Sequence, residues 1–205
     1  PAILQRAGVE EAGGGFFLDV FWTTYGVTME KGLNQTREPN MALVGLEWHK
    51  SDGFILSPYM NHDRLIRLQE MSPLKAVIGP QNMLGIMTKI SDEANGKVYP
   101  DGSCSKPLTT RDLMRLRKGA RIAREMLVKA GARPDSLFES WIQGAHPGGG
   151  AAIGTVVDTN LQTKIDKLFV CDASLLPGEA FNDRDRLPPI LTIVALAKRL
   201  ANYLP

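Results

Sequence analysis

One short segment carries the residue types needed for proton transfer: a histidine followed by a proline and three glycines, His146-Pro147-Gly148-Gly149-Gly150. Proline fixes the backbone on one side of the imidazole, while glycine leaves the other side free of side chains, so a flat ligand could approach closely. Because imidazole changes its charge around neutral pH, His146 is a candidate base. A loop histidine with a structural hydrogen bond is the alternative interpretation of this segment taken alone.

A second candidate segment ends a short apolar run. Leu168 to Val170 is a candidate buried strand, and it leads into Cys171-Asp172-Ala173-Ser174, where small and polar residues let a backbone come close to a ligand. Considered alone, Asp172 reads as a turn residue at the end of a strand. A last helix is predicted to begin near Pro189, because a missing N–H costs nothing in a first helical turn.

These segments resemble the C-terminal signature of the glucose-methanol-choline (GMC) oxidoreductases, in the same order and at about the same spacing. Leu4-Gln5-Arg6-Ala7-Gly8-Val9 also resembles the family's segment that leads into the substrate domain. The matching C-terminal elements are His146-Pro147-Gly148-Gly149, Val156-Val157-Asp158, the run from Leu168 to Pro177, and Pro189 followed by Leu191 to Ala197.

The resemblance implies oxidation of an alcohol or sugar CH–OH group, with hydride passing to N5 of FAD while a histidine base removes the hydroxyl proton. His146 matches that histidine. Asp172, Ala173 and Ser174 match the groups that the family places against the flavin, and Pro189-Ile190 matches a segment near the pyrimidine end of its ring. A helix N-terminus there would stabilise negative charge on the reduced ring.

Two departures from the family pattern affect these expectations. The family places His or Asn just before the proline that opens the last helix, but this sequence has Pro188, whose side chain neither donates nor accepts. Asn182 is the preferred substitute, with Asp183 and Asp185 as further candidates, although a solvated loop is the alternative. The flavin fingerprint G-x-G-x-x-G is also absent from the N-terminal part, so a separate flavin-binding half is expected as a partner.

The predicted fold is α+β: an antiparallel sheet of about five or six strands flanked by helices, plus a C-terminal strand–helix segment belonging to a flavin-binding domain. Residues 1–145 are assigned to a substrate-binding domain and residues 146–205 to the segment that completes the flavin domain. Strand patterns cover residues 16–27, a hairpin of 42–46 with 53–58, and a pair formed by 83–90 with 96–99.

Helices are predicted over residues 63–71, 109–130 and 189–204, the last two with apolar faces at three- and four-residue steps. The inward positions expected in the 109–130 helix are Leu113, Leu116, Ala120, Ala123, Leu127 and Ala130. Those expected in the last helix are Ile190, Ile193, Val194, Ala197, Leu200, Ala201 and Leu204. Without its partner domain this last helix would expose apolar surface, so self-association into a homo-oligomer is expected.

The composition argues against several classes of protein. A net charge of +2 with dispersed Lys and Arg gives no footprint for nucleic acid, and no apolar run reaches the length of a membrane span. Cys104 and Cys171 are too few for a disulfide framework and are expected to be reduced, buried thiols. A cytoplasmic protein with a small-molecule substrate and no metal is predicted. The alternatives are a non-catalytic interaction module that retains the scaffold, and a nicotinamide-dependent dehydrogenase.

Overall fold

The computed structural model describes residues 1–30, 33–61, 63–176 and 190–204. The chain divides into two compact units, and the segments of each unit are far apart in sequence. Unit 1 comprises Pro1–Asp19, Ser91–Thr109 and Gly144–Pro205, and unit 2 comprises Val20–Ile90 and Thr110–Gln143. The predicted division after residue 145 therefore differs from the observed one, because the first and middle segments pack with the C-terminal segment.

Unit 2 is built on a five-stranded antiparallel sheet. Its central strands are β2 (Val20–Val27) and β4 (Met83–Ile90), which pair from Phe21↔Lys89 to Val27↔Met83. Both strands are buried along nearly their whole length, which explains why they read as continuous apolar and β-branched runs. The sheet is completed by β3 (Phe54–Pro58) on β4, and by β7 (Phe138–Glu139) and β8 (Gln143–Gly144) on β2.

Helix α5 (Thr110–Lys129) packs on this sheet. Four of its predicted inward positions, Leu116, Ala120, Ala123 and Leu127, are buried, whereas Ala130 lies beyond the helix and is exposed. Gly119 permits the close approach, because a Cβ there would overlap the side chain of Thr88. The remaining helices of the unit are short: α2 (His49–Asp52), α3 (Arg64–Glu70) and α4 (Pro73–Ala76).

The described residues of unit 1 form a three-stranded sheet and two α-helices. Strand β5 (Gly96–Val98) pairs with both β1 (Gly14–Phe16) and β6 (Cys104–Ser105). The helices are α1 (Ala2–Arg6) and α6 (Ile190–Tyr203). The core of this unit is an apolar cluster drawn from its first and last segments: Leu4, Val9, Ala12, Ala151, Val156, Val157, Leu161, Val170, Leu175 and Leu200.

The α+β class with antiparallel sheets and flanking helices is confirmed, but several strand pairings differ from expectation. The predicted partners 83–90 and 96–99 lie in different sheets, because β4 pairs with β2 and β3 while β5 pairs with β1 and β6. The expected hairpin strand 42–46 makes a single bridge, Gly45↔Leu56. Leu168 to Val170 likewise contributes one bridge, between Phe169 and Gln162, rather than a strand.

Helix α6 buries less of its apolar face than its periodicity predicts. Leu200 is buried and Leu196 packs against the unit 1 core, whereas Ile190, Val194 and Leu204 are exposed. The two cysteines are free, as expected, but both are exposed rather than buried. Among the described residues no helix combines the length and apolarity needed to cross a bilayer.

Candidate functional site

The segment that follows His146 lies between two other stretches of unit 1. On one side Phe17 and Gly148 exchange both backbone hydrogen bonds, at 3.0 and 3.1 Å. On the other side the Gly149 N–H donates to the Ala173 carbonyl at 3.2 Å, and the Ala151 N–H donates to the Ser174 carbonyl at 2.9 Å. The fold therefore joins the two candidate segments, the histidine–glycine motif and the Asp172–Ser174 turn.

The glycines of the motif have a packing role that the sequence interpretation did not foresee. A Cβ at Gly148 would overlap the ring of Phe17, and a Cβ at Gly149 would overlap the carbonyl oxygen of Gly15. Gly149 also has a φ of +80°, which favours glycine. The expectation that the glycines keep one face open to a ligand is thus only half correct, because much of that face is filled by residues 15–17.

A hollow of about 240 Å³ nevertheless lies beside the motif. Pro147, Gly148 and Gly149 contribute to its wall, together with the Asp172–Ser174 turn, Phe16 and Val98. Pockets that enclose a whole small molecule usually measure about 300–1,000 Å³, so this hollow is smaller than such a site. His146 is the neighbour of the lining residue Pro147 in the sequence but does not itself line the hollow.

The Asp172–Ser174 turn is locally rigid. Asp172 precedes a short 3₁₀ helix, Ala173–Leu175, and its Oδ1 accepts hydrogen bonds from the Ser174 N–H at 2.8 Å and the Ser174 hydroxyl at 2.5 Å. This is the capping geometry of an Asx turn, in which a side chain satisfies the first N–H groups of a helical turn. The turn interpretation of Asp172 is therefore correct for its Oδ1 atom, and the backbone of the turn forms part of the hollow.

His146 is paired with a buried aspartate. Its Nδ1 lies 3.2 Å from Oδ2 of Asp19; the Asp19 side chain is 2% exposed and that of His146 is 31% exposed. Sequence reasoning missed Asp19, although one signal was present: it is the single charged residue in the apolar run Phe16–Val27. A charged group in the interior is normally paired, so its partner could have been sought among the candidate site residues.

The remaining predicted site residues are Ile190, Asn182 and Pro189, and the structure describes one of them. Ile190 is the first residue of α6, as expected, and its side chain is exposed. Asn182 and Pro189 lie outside the described residues. The site that the structure assembles from its described part therefore consists of His146, Asp19 and the hollow between the histidine motif and the Asp172–Ser174 turn.

An α+β fold with a histidine motif joined to a small-residue turn matches a known class of proteins. The model of the C-terminal part of GMC oxidoreductases matches residues 89–197, a little more than half of the chain. The chain belongs to the GMC oxidoreductase family, as the sequence motifs indicated.

One curated relative matches almost the whole chain. The chain is 31% identical over 200 residues to the uncharacterized protein MJ1450 of Methanocaldococcus jannaschii, a match that covers 97% of the chain and 48% of that protein. The chain thus spans about half the length of this relative.

Solved structures show the same fold. A mutant of formate oxidase from Aspergillus oryzae RIB40, studied for FAD modification, superposes with a TM-score of 0.64 at 15% identity, covering 94% of this chain and 47% of that one. A further crystal structure of formate oxidase superposes with a TM-score of 0.59 at 15% identity, with the same coverage of both chains.

Proposed function

We propose that this chain is the catalytic C-terminal half of an FAD-dependent oxidoreductase that oxidises a CH–OH group of an alcohol or sugar, with His146 as the base. The observation that carries the proposal is the hydrogen-bonded contact of the 148–151 segment with residues 173–174, which sets the histidine motif and the turn around one hollow. In the family resemblance, these two segments are the ones placed at the substrate and at the flavin.

The residues that line the hollow fit one edge of a flavin ring. The turn Asp172–Ser174 is short and capped, and its small side chains leave backbone close to the hollow. The glycines opposite add no side chains that would block a planar group. Asp172, Ala173 and Ser174 are the residues proposed to contact the ring, together with Ile190 at the start of α6 and Pro189, which lies outside the described residues.

The chemistry divides between the cofactor and the chain. When bound, the flavin accepts at N5 the hydride that leaves the substrate carbon. His146 accepts the hydroxyl proton, so that the O–H bond breaks and a carbonyl forms as the C–H electrons depart. The chain's own contribution is to hold the imidazole beside the substrate and to present a close backbone surface to the ring.

A second polypeptide segment is part of the proposal. The sequence of 205 residues does not contain the G-x-G-x-x-G fingerprint that binds the ADP portion of FAD. The chain also covers about half of each compared protein. The proposed partner is therefore a flavin-binding half, and the exposed side chains of Ile190, Leu191 and Val194 on α6 give it apolar surface to cover. The cytoplasmic location stays a prediction.

The test combines this chain with a flavin-binding polypeptide of the same source that carries the fingerprint. Reduction of bound flavin is then followed by absorbance as a panel of primary alcohols, sugars and formate is added. We expect His146→Ala to lower kcat by about 10²–10⁴-fold. His49→Ala, in unit 2, is the matched control and should retain the wild-type rate.

Three outcomes would contradict the proposal. Unchanged turnover in His146→Ala would exclude this residue as the base, and an absence of flavin reduction with every substrate would favour the non-catalytic module. Binding of a nicotinamide cofactor by this chain alone would favour the third alternative. The reading frame that encodes the chain offers an independent check. A frame that begins at residue 1, with no G-x-G-x-x-G fingerprint encoded before it, would contradict the fragment assignment.

A further inference from the structure

We propose that Asp19 is a positioning residue for His146. Its carboxylate holds the imidazole in the tautomer that carries hydrogen on Nδ1, and so reserves Nε2 as the atom that accepts the substrate proton. This inference rests on the proposed function for the identity of the base. It adds a residue from the N-terminal segment, Pro1–Asp19, to a site that the sequence motifs located entirely in the C-terminal segment.

The imidazole of His146 and the carboxylate of Asp19 lie close enough to share a hydrogen bond. Nδ1 of His146 and Oδ2 of Asp19 are 3.2 Å apart, within hydrogen-bonding range. In the proposed pair the Asp19 carboxylate is ionised and can only accept, so the hydrogen of this bond belongs to Nδ1. In the neutral ring Nε2 is then unprotonated and can accept. The carboxylate is the buried member of the pair, and the imidazole retains 31% exposure, which leaves the ring approachable.

The backbone at Asp19 supports a dedicated role. Asp19 has a φ of +52°, in the left-handed region that is uncommon outside glycine, although Asp and Asn tolerate it better than other residues. Such conformations persist where the surroundings enforce them, and they cluster at functional sites. Here the Leu18 carbonyl accepts hydrogen bonds from the Ala145 N–H at 2.9 Å and the His146 N–H at 3.1 Å. The two backbones are therefore joined next to the side-chain pair.

A buried ion pair fixes the segment that carries Asp19. The Leu18 N–H donates to Oδ2 of Asp92 at 3.2 Å, and the same oxygen lies 3.1 Å from Nζ of Lys106. The side chains of Asp92 and Lys106 are 0% and 5% exposed. A buried, hydrogen-bonded network restricts the groups that it binds, so the backbone at Leu18, next to Asp19, is held in place. Asp19 contacts the imidazole ring, and the Asp92–Lys106 pair holds the backbone next to Asp19.

Asp19 stabilises the imidazole ring after the ring has taken the substrate proton. The substrate O–H bond breaks and an N–H bond forms at Nε2, so the ring becomes a cation with hydrogen on both nitrogens. The Asp19 carboxylate stabilises that cation through the Nδ1–H bond and does not itself take the proton. This sequence has Pro188 where the family supplies a polar partner for the histidine. Asp19 supplies a hydrogen-bond partner to the same ring from another part of the chain.

The tautomer of His146 can be measured on this chain alone by NMR with ¹⁵N-labelled histidine. The chain has three histidines, so the His146→Ala spectrum assigns the signals of His146 by difference. We expect the protonated type of nitrogen at Nδ1 and the unprotonated type at Nε2 in the neutral ring. Asp19→Asn should shift population towards the Nε2–H tautomer, because an amide can present a donor to Nδ1. Asn also tolerates the left-handed backbone, which favours folding of the variant.

Asp101→Asn is the matched control, since Asp101 is an exposed aspartate of unit 1 that bonds Ser103. Its histidine spectrum should equal that of the wild-type chain. An Nε2–H tautomer for His146 in the wild-type chain would overturn the inference even if Asp19→Asn failed to fold. A folded Asp19→Asn chain with the wild-type tautomer ratio would overturn it too.

Kinetics with the flavin-binding half supplied separate this inference from the proposed function. We expect Asp19→Asn to lower kcat by about 10–10³-fold, and the double variant Asp19→Asn/His146→Ala to lose no more than His146→Ala alone, because the two residues act as a unit. Additive losses would overturn the positioning role. An enzyme without turnover would refute the proposed function, while the NMR result would still decide the tautomer.

Discussion

Tyr25 and Glu70 form a buried hydrogen bond in unit 2, in which the Tyr25 hydroxyl donates to Oε2 of the carboxylate at 3.3 Å. The other oxygen, Oε1, accepts from the Tyr59 hydroxyl at 3.3 Å and from the Asn61 amide at 3.1 Å. The carboxylate is thus held by three donors from the sheet and the loop after β3. Glu70 belongs to α3, so this polar cluster attaches the helix to the sheet.

Tyr25→Phe should lower the free energy of unfolding by about 1–2 kcal/mol. The substitution keeps the ring and its contact with Phe138 but removes one donor to a buried charged acceptor. Urea unfolding at pH 7, followed by circular dichroism, measures the change. Tyr99→Phe, at a more exposed tyrosine of unit 1, is the matched control and should lie within about 0.5 kcal/mol of the wild-type chain. Equal losses in the two variants would contradict the role of the cluster.

Stability should also fall steeply at alkaline pH. Burial, reinforced by the nearby negative charge of Glu70, raises the pKa of Tyr25 above its ordinary value, and the same causes raise the pKa of Tyr59. A tyrosine whose pKa is raised in the folded state keeps its proton there, while the unfolded chain ionises from about pH 10 upward. The stabilising contribution is therefore present below about pH 10 and is lost as the pH rises, by up to about 1.4 kcal/mol per pH unit for the buried Tyr25 and by less for the half-exposed Tyr59.

Urea unfolding across pH 8–11 tests this expectation in the wild-type chain and in Tyr25→Phe. The variant lacks one of the two groups, so its stability should decline less steeply above about pH 10. Identical slopes would show that Tyr25 ionises equally in the folded and unfolded states, contrary to the burial of its hydroxyl.

Gly149→Ala should destabilise the chain more than Gly154→Ala. Both glycines have positive φ, at +80° and +89°, so an alanine at either position is strained by about 1 kcal/mol. A Cβ at Gly149 would additionally overlap the Gly15 carbonyl, whereas one at Gly154 would meet open space. We expect a further loss of about 1–3 kcal/mol at Gly149, measured by thermal unfolding. A loss at Gly154 as large as that at Gly149 would argue against close packing of the motif.

Self-association of the isolated chain should depend on the exposed face of α6. Leu191 is 82% exposed and Val194 is 58% exposed, and both lie on one helix. Light scattering should show a mass that increases with concentration, because exposed apolar patches associate. Leu191→Ser/Val194→Ser should shift the chain towards monomer. Ala195→Ser, at an exposed position of the same helix, controls for the serine itself. A wild-type chain that stays monomeric at every concentration would exclude this surface.

Periodicity and local chemistry predicted much of the fold. The apolar steps of residues 109–130 identified α5 and most of its buried face, and the apolar runs identified β2 and β4, because a buried strand or a one-sided helix leaves its pattern in the residue types alone. Asp63 similarly marks the start of α3, where it accepts hydrogen bonds from the Leu65 and Ile66 N–H groups. The family signature located His146 and the Asp172–Ser174 turn.

Helix α3 shows where such patterns fail. It buries Arg67 and Glu70 and leaves Leu65 72% exposed, the reverse of an ordinary amphipathic helix. Its orientation depends on the hydroxyl of Tyr25, on the distant strand β2, and on that of Tyr59, in the loop after β3. No local pattern contains that information.

The residue sequence alone determined the long helix α5, the central strands β2 and β4 and the histidine motif, since each depends on neighbours within a few positions along the chain. Only the tertiary structure decided that β5 pairs with β1 rather than with β4, and that Asp19 lies against His146. The physical reason is the same in both cases. Strand pairing and buried charge pairs are contacts between distant segments, and their partners are selected by the packing of the whole unit.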